Sequence, residues 1–174
     1  MILNQKICIV IPCYNVSNDI EKVINKIDFK TIDKIFIIDD CCPQKTGENL
    51  KKKIKNKKLN ITILKKNLGV GGATIFGFKK ALKMGFDIIF KIDGDGQHNP
   101  KYIKEFLRHL INSNNNYCKG SRFLNIVEKK KKPKIRYYGN IALTFLTKLN
   151  CKKYDITDAV NGFLAIKSSL LKKI

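Results

Sequence analysis

The chain has 174 residues, 44% of them hydrophobic, which suits one α/β domain with a substantial core. No run approaches the roughly 20 apolar residues that cross a bilayer, and the opening MILNQKICIVIPCY alternates into a strand without the basic region and cleavage pattern of a signal peptide. The net charge of +21 invites a nucleic-acid reading, but only three of the 35 basic residues are arginine (Arg108, Arg122 and Arg136), and the lysines are spread along the chain. Lysine, Asn and Ile share A/T-rich codons, so we expect no nucleic-acid partner. The charge fits anionic lipid head groups or diphosphates better. The six cysteines form no CxxC pair, and vicinal Cys41-Cys42 is a poor zinc clamp and a strained disulfide, which points to reduced thiols in a cytoplasmic protein.

In chain order, residues 6–11 (KICIVI) read as a buried strand stopped by Pro12, with Pro12-Cys13-Tyr14-Asn15 as the loop at its carboxyl end. A helix follows, with a capping-box spacing from Asn18 to Glu21 and Ile20, Val23, Ile24 and Ile27 on one face. Residues 34–38 (KIFII) form a second buried strand that ends in Asp39-Asp40. A polar helix over 46–55 turns only Leu50 and Ile54 inward, and residues 60–64 (NITIL) make a third strand. The glycine-rich stretch 67–73 (NLGVGGA) reads as a loop before a helix over 74–84, apolar at Ile75, Phe78 and Leu82. It matches neither a Walker loop nor a GxGxxG fingerprint; close helix packing and close approach to a ligand both account for it.

Residues 88–92 form a fourth strand, apolar except for Lys91, which leads into Asp93-Gly94-Asp95-Gly96-Gln97-His98. Asn99 and Pro100 then fit the N-cap and first position of a helix with Ile103, Phe106, Leu107 and Leu110 on one face and Arg108 on the polar side. Two carboxylates one residue apart repel, and the flanking glycines add chain entropy that folding must overcome. A divalent cation resolves the repulsion. Asp93, Asp95 and the amide oxygen of Gln97 suit Mg²⁺ or Mn²⁺, whose shell substrate phosphates can complete. A tight strand-to-helix turn is the plainer alternative. Ligands in open α/β sheets gather at the carboxyl ends of strands, which favours the metal–diphosphate reading.

The β-α-β-α-β-α-β-α rhythm predicts a mostly parallel, Rossmann-like central sheet with helices on both faces. After a strand-like segment at 117–120 the rhythm changes. Residues 124–134, with four lysines in a row, read as a mobile solvated loop. Residues 135–149 are an amphipathic helix suited to core packing or to a membrane surface. Asp155 and Asp158 precede a strand-like 163–166, and Ser168 would cap a helix left unfinished. Arg122 and Arg136 stand out in so lysine-rich a chain, because a guanidinium fork recognises phosphate or carboxylate in a way that lysine cannot.

These pieces resemble the family 2 glycosyltransferases, and within them the dolichyl- or polyprenyl-phosphate sugar transferases. The matching segments are IVIPCYN (9–15), IIDD (37–40), NLGVGGA (67–73), KIDGDGQHNP (91–100), KGSRF (119–123) and DAVNGF (158–163), in the family's order over nearly the whole chain. The resemblance implies a GT-A fold: one domain over 1–174, with a nucleotide-binding half (1–100) and an acceptor-side half (101–174). It implies a metal-dependent inverting transfer from a UDP- or GDP-linked sugar, plausibly to a polyprenyl phosphate at the inner face of the plasma membrane. Pro12, Tyr14, Asn15 and Asp40 would hold base and ribose, with Asn67, Gly71 and Gly94 also on the donor. Asp93, Asp95 and Gln97 would hold the metal and diphosphate, Arg122 would face phosphates or acceptor, and Asp158 stands at the family's acceptor-side aspartate.

Departures from the pattern are Val16 for a glutamate, Cys41-Cys42 for Gly-Ser, and Leu164 for an arginine. A later basic segment of the phosphate-lipid transferases is also absent, from which we expect a shortened acceptor half and poor transfer. A saccharide hydroxyl is the alternative acceptor. A haloacid-dehalogenase-type phosphatase fits less well, because three β-α units precede the D-x-D and Gln97 follows Gly96. Oligomeric state is not legible.

Overall fold

The computed structural model describes residues 5–113, 115–121, 134–150 and 157–173, with side chains of the penultimate stretch described from 138 to 149. The chain divides into two compact units, Met1–Cys118 with Phe163–Ile174, and Lys119–Gly162. The elements are β1 (Ile7–Cys13), α1 (Ile20–Asn25), β2 (Lys34–Asp39), α2 (Thr46–Lys53), β3 (Leu59–Ile63), α3 (Gly69–Lys83), β4 (Ile88–Lys91), a 3-10 turn (Pro100–Tyr102), α4 (Ile103–Asn112), β5 (Tyr117–Lys119), α5 (Lys134–Asn150), β6 (Leu164–Lys167) and α6 (Ser168–Leu171).

The apolar runs of β1, β2 and β4 are buried on both faces, as parallel strands between two helical layers must be. The sheet order is β3-β2-β1-β4-β6-β5. β1 to β4 run parallel, and β6 lies antiparallel to β4. On one face Ile9, Ile11, Ile35, Ile37 and Phe90 pack with Ile20, Val23 and Ile24 of α1, Leu50 of α2, and Ile103, Phe106, Leu107 and Leu110 of α4. On the other, Cys8, Val10, Phe36, Ile38 and Ile89 pack with Ala73 and Ala81 of α3. Each large side chain so buried contributes about 2 kcal/mol. The expected α/β architecture with helices on both faces is therefore found.

Three local expectations fail for physical reasons. Pro12 does not stop β1, which continues to Cys13, pairing Pro12 with Ile38 and Cys13 with Asp39 of β2. Val10 O accepts from Ile92 N on the β4 side, and Cys13 O accepts from Asp40 N on the β2 side. Alternation therefore aims the missing Pro12 donor toward β4, beyond its last paired residue Lys91, where no ladder bond is lost. The capping box at Asn18 is absent, since α1 starts after Asp19 with no side-chain cap. Asn99 does cap as expected, accepting from Lys101 N–H at 3.1 Å, but at the 3-10 turn that leads into α4.

The glycine-rich stretch is not a loop: α3 begins at Gly69. Its buried face is Ala73, Gly77 and Ala81, with Phe78 and Leu82 packed against the same core as expected, and Ile75 points out at 55% exposure. A Cβ on Gly77 would sit 2.3 Å from Val10 Cγ1, so the helix lies too close to the sheet for any larger residue. For α5, expected either in a core or on a membrane surface, the covered positions among the described side chains are Asn140, Thr144 and Thr147, while Tyr138, Ile141, Leu143, Phe145, Leu146 and Leu149 are exposed. Of the loop expected at 124–134, residues 124–133 lie outside the described residues and Lys134 already belongs to α5.

Candidate functional site

Strand order supplies the place. From β1 the chain moves outward through β2 to β3, then returns to β4 on the other side of β1, so the loops leaving β1 and β4 diverge. Between them opens a cleft of about 300 Å³ lined by Pro12, Cys13, Tyr14, Val16, Asp40, Val70, Ala73, Asp93, Gly94 and Asp95. Residues from four chain segments, all within the first unit, meet at the carboxyl ends of β1, β2 and β4 and the first turns of α3.

Of the sequence-selected residues, Pro12, Tyr14, Asp40, Asp93, Gly94 and Asp95 line this cleft. Tyr14 is exposed, leaving its ring open to a ligand. Gly94 is the cleft floor: a Cβ there would come within 3.1 Å of Val16 Cγ2 and 3.3 Å of Ile20 Cδ1. Asn15, Asn67, Gly71 and Gln97 are not in the lining. Asn15 takes a left-handed φ of 54° and donates its N–H to Cys42 Sγ at 3.2 Å. Asn67 accepts from Gly69 N–H at 2.8 Å, and Gly71 faces open space on α3. Exposed Gln97 donates its N–H to Asp95 Oδ1 at 3.0 Å. Asp158 lies in the second unit, buried, with Oδ1 accepting from Val160 N–H at 3.3 Å. Arg122 and Arg136 have no described side chain.

The two acidic pairs differ in how they are held. Asp39 accepts from Cys42 N–H at 2.7 Å and from Gly47 N–H at 2.5 Å, which pins the loop after β2. Asp40 Oδ1 accepts from Leu68 N–H at 2.8 Å, joining that loop to the start of α3. Asp93 instead pairs with the Lys91 ammonium, and its N–H donates to His98 Nδ1 at 3.2 Å. With Nδ1 accepting, a neutral imidazole carries its proton on Nε2, and the ring stacks on Phe163 at 5.5 Å. Among the described residues no group of three or more His, Cys, Asp or Glu side chains is arranged to hold a metal ion. Two cleft carboxylates do fit a hard cation that draws the rest of its shell from phosphates and water.

Sequence reasoning passed over Cys13, Val70, Ala73, Lys91, His98 and Cys42. Burial, reinforced by Asp39, Cys42 and Asp93, drives the Cys13 thiol well above its ordinary pKa, so it serves as apolar lining. Burial also pushes Cys42 upward, but hydrogen bonds from Thr46 and from the N–H groups of Asn15, Gln44 and Thr46 prevail and lower it. Lys91 did leave a signal, as the one charge in a buried run.

A family model described as glycosyl transferase family 2 matches residues 8–174. The chain is 36% identical to a UDP-N-acetylglucosamine–dolichyl-phosphate N-acetylglucosaminyltransferase of Methanococcus voltae, over 97% of this chain and 72% of that one. It is 25% identical to a dolichol-phosphate mannosyltransferase of Pyrococcus furiosus, over 98% of this chain but 48% of the relative. Among solved structures, glucosyl-3-phosphoglycerate synthase of Mycobacterium tuberculosis, in complex with Mn²⁺ and UDP-glucose, superposes with a TM-score of 0.72 at 17% identity, over 98% of this chain and 59% of that one. That likeness establishes the GT-A fold.

Proposed function

The chain belongs to glycosyl transferase family 2, and on that premise we propose that it moves a sugar from a UDP- or GDP-linked donor to a polyprenyl phosphate. The observation that carries this reading is the cleft that gathers Tyr14, Asp40, Asp93 and Asp95 at the carboxyl ends of β1, β2 and β4. Pro12, Tyr14 and Asn15 flank the base, and Asp40 reaches the ribose. Asn67 and Gly71 contribute from the start of α3, whose first turn has no acidic residue of its own.

Asp93, Asp95 and the amide oxygen of Gln97 would hold Mg²⁺ or Mn²⁺, and the exposure of Asp95 and Gln97 leaves room for phosphate ligands. When bound, the cation supplies Lewis-acid stabilisation of the charge that grows on the departing nucleoside diphosphate. In the transfer, an oxygen of the lipid phosphate bonds to the anomeric carbon on the face opposite the diphosphate. The bond to the diphosphate breaks and the configuration inverts. Such an acceptor is already anionic and needs no base.

We read residues 1–100 as the donor half and 101–174 as the acceptor side, with Arg122 on the phosphates or acceptor. Burial of Asp158 supports a second reading, a hydroxyl acceptor whose proton that carboxylate takes. No helix among the described residues is long and apolar enough to cross a membrane. The exposed apolar side chains of α5 and the net charge of +21 support docking on an anionic membrane surface.

The test is transfer of radiolabelled sugar from UDP-N-acetylglucosamine and GDP-mannose to polyprenyl phosphate and, in parallel, to saccharides. Label in the lipid phase is expected. Label in saccharide alone moves the assignment to the hydroxyl reading, and label in neither overturns both.

A further inference from the structure

Lys91 is a costly residue for its position. It is the last residue of β4, in register with Val10 of β1 and Leu164 of β6, and is 7% exposed. An ammonium taken out of water needs a compensating charge. Strand alternation puts Lys91 and Asp93 on the same face of the sheet, and Lys91 Nζ donates to Asp93 Oδ1. The other oxygen, Oδ2, lies 3.6 Å from His98 Nδ1. Asp95, one residue beyond the glycine, is exposed and bonds only along its own turn, to Gln97 N–H. The D-x-D segment together with Lys91 thus carries two carboxylates and one ammonium, a net charge of minus one where the D-x-D alone would carry minus two, and Asp40 adds a third carboxylate to the cleft lining.

We infer that Lys91 is a positioning residue that makes cation binding conditional on the donor. It fixes the first carboxylate of the pair without metal, and it offsets one of the carboxylate charges that would draw a divalent cation into the empty cleft. A nucleoside diphosphate brings negative charges of its own, so cation and nucleotide arrive as mutually dependent ligands. Linkage makes that coupling reciprocal: whatever factor the nucleotide adds to cation affinity, the cation adds to nucleotide affinity. The inference rests on the cation–diphosphate reading of the cleft.

The experiment is an Mn²⁺ titration, followed by the electron paramagnetic resonance signal of the free ion. It is run without nucleotide and with saturating UDP or GDP, on the unaltered protein, Lys91→Met and Lys91→Arg. Either nucleotide should raise Mn²⁺ affinity of the unaltered protein by about tenfold or more. Lys91→Met should bind Mn²⁺ about tenfold more tightly without nucleotide and show a coupling smaller by the same factor. Lys91→Arg, which keeps the charge, should behave as the unaltered protein. If Lys91→Met does not fold, Lys91→Gln gives the same comparison. Equal or weaker Mn²⁺ binding by the neutral variant without nucleotide, or a Lys91→Arg variant that follows it, overturns the role of Lys91 alone. No Mn²⁺ binding by the unaltered protein with either nucleotide overturns the cleft reading together with it.

Discussion

Two acidic pairs stand at neighbouring strand ends, and the contrast between them separates structure from function. Asp39 is buried and both its oxygens are taken by N–H groups of the loop after β2. Asp40 shares that role with one oxygen and faces the cleft. Among the described residues, Asp93 and Asp95 accept no N–H bond from another loop. One leans on a lysine and the other on its own turn. A carboxylate whose hydrogen bonds are filled by backbone holds a loop, and one left to a single ammonium or to solvent is available to a ligand.

Substitutions should therefore grade across the two pairs. Asp39→Ala should be the most damaging, because it orphans the N–H groups of Cys42 and Gly47 in a buried site. A loss of about 3 kcal/mol is expected in urea unfolding. Loss below about 1 kcal/mol would mean that water or another group replaces the carboxylate. Asp40→Ala frees only Leu68 N–H and should cost about 1–2 kcal/mol, with weaker nucleotide binding. The comparison breaks if Asp40→Ala proves more destabilising than Asp39→Ala. Asp95→Ala should leave the unfolding midpoint within about 0.5 kcal/mol, since it removes an exposed charge beside a like one, yet abolish cation-dependent nucleotide binding. A large loss of stability with binding retained would invert the roles of the pairs.

The smallest effect is expected away from the cleft, at exposed Asp28. Its hydrogen bond from Lys104, with help from Lys30 N–H, holds its pKa near 2 against an ordinary 3.8. A carboxylate lowered in the folded state stabilises above its unfolded pKa and loses that contribution as pH falls through the folded value. Asp28→Asn should lower the melting temperature slightly near neutrality, where that contribution is lost, and flatten its decline between about pH 4 and pH 2. An unchanged acid limb would assign no stabilising role to the Lys104 contact.

How far the sequence could be read follows the same division. The β-α rhythm was visible because β1, β2 and β4 are buried on both faces and so form continuous apolar runs. The D-x-D was visible because two adjacent carboxylates among glycines need a reason. Hydrophobicity misled at one position of α3: Phe78 and Leu82 pack on the core as expected, but close approach to the sheet selects Ala73, Gly77 and Ala81 and leaves Ile75 outside. It left two roles open for α5, where among the described side chains Thr144 is buried and Tyr138, Ile141, Leu143, Phe145, Leu146 and Leu149 are exposed. Pro12 looked like a strand end because a donor's direction depends on which neighbour it faces. Lys91 was noticed only as an interruption, since its partner becomes apparent once alternation sets it beside Asp93.

The central claim is that Asp93 and Asp95 form a cation-assisted diphosphate site. Its most direct test is calorimetry of UDP and GDP with the unaltered protein, each with and without Mn²⁺. One nucleotide is expected to bind at least about tenfold more tightly with Mn²⁺, a difference of about 1.4 kcal/mol. Asp95→Ala should lose that gain. Equal affinity with and without the cation, for both nucleotides, would contradict the account.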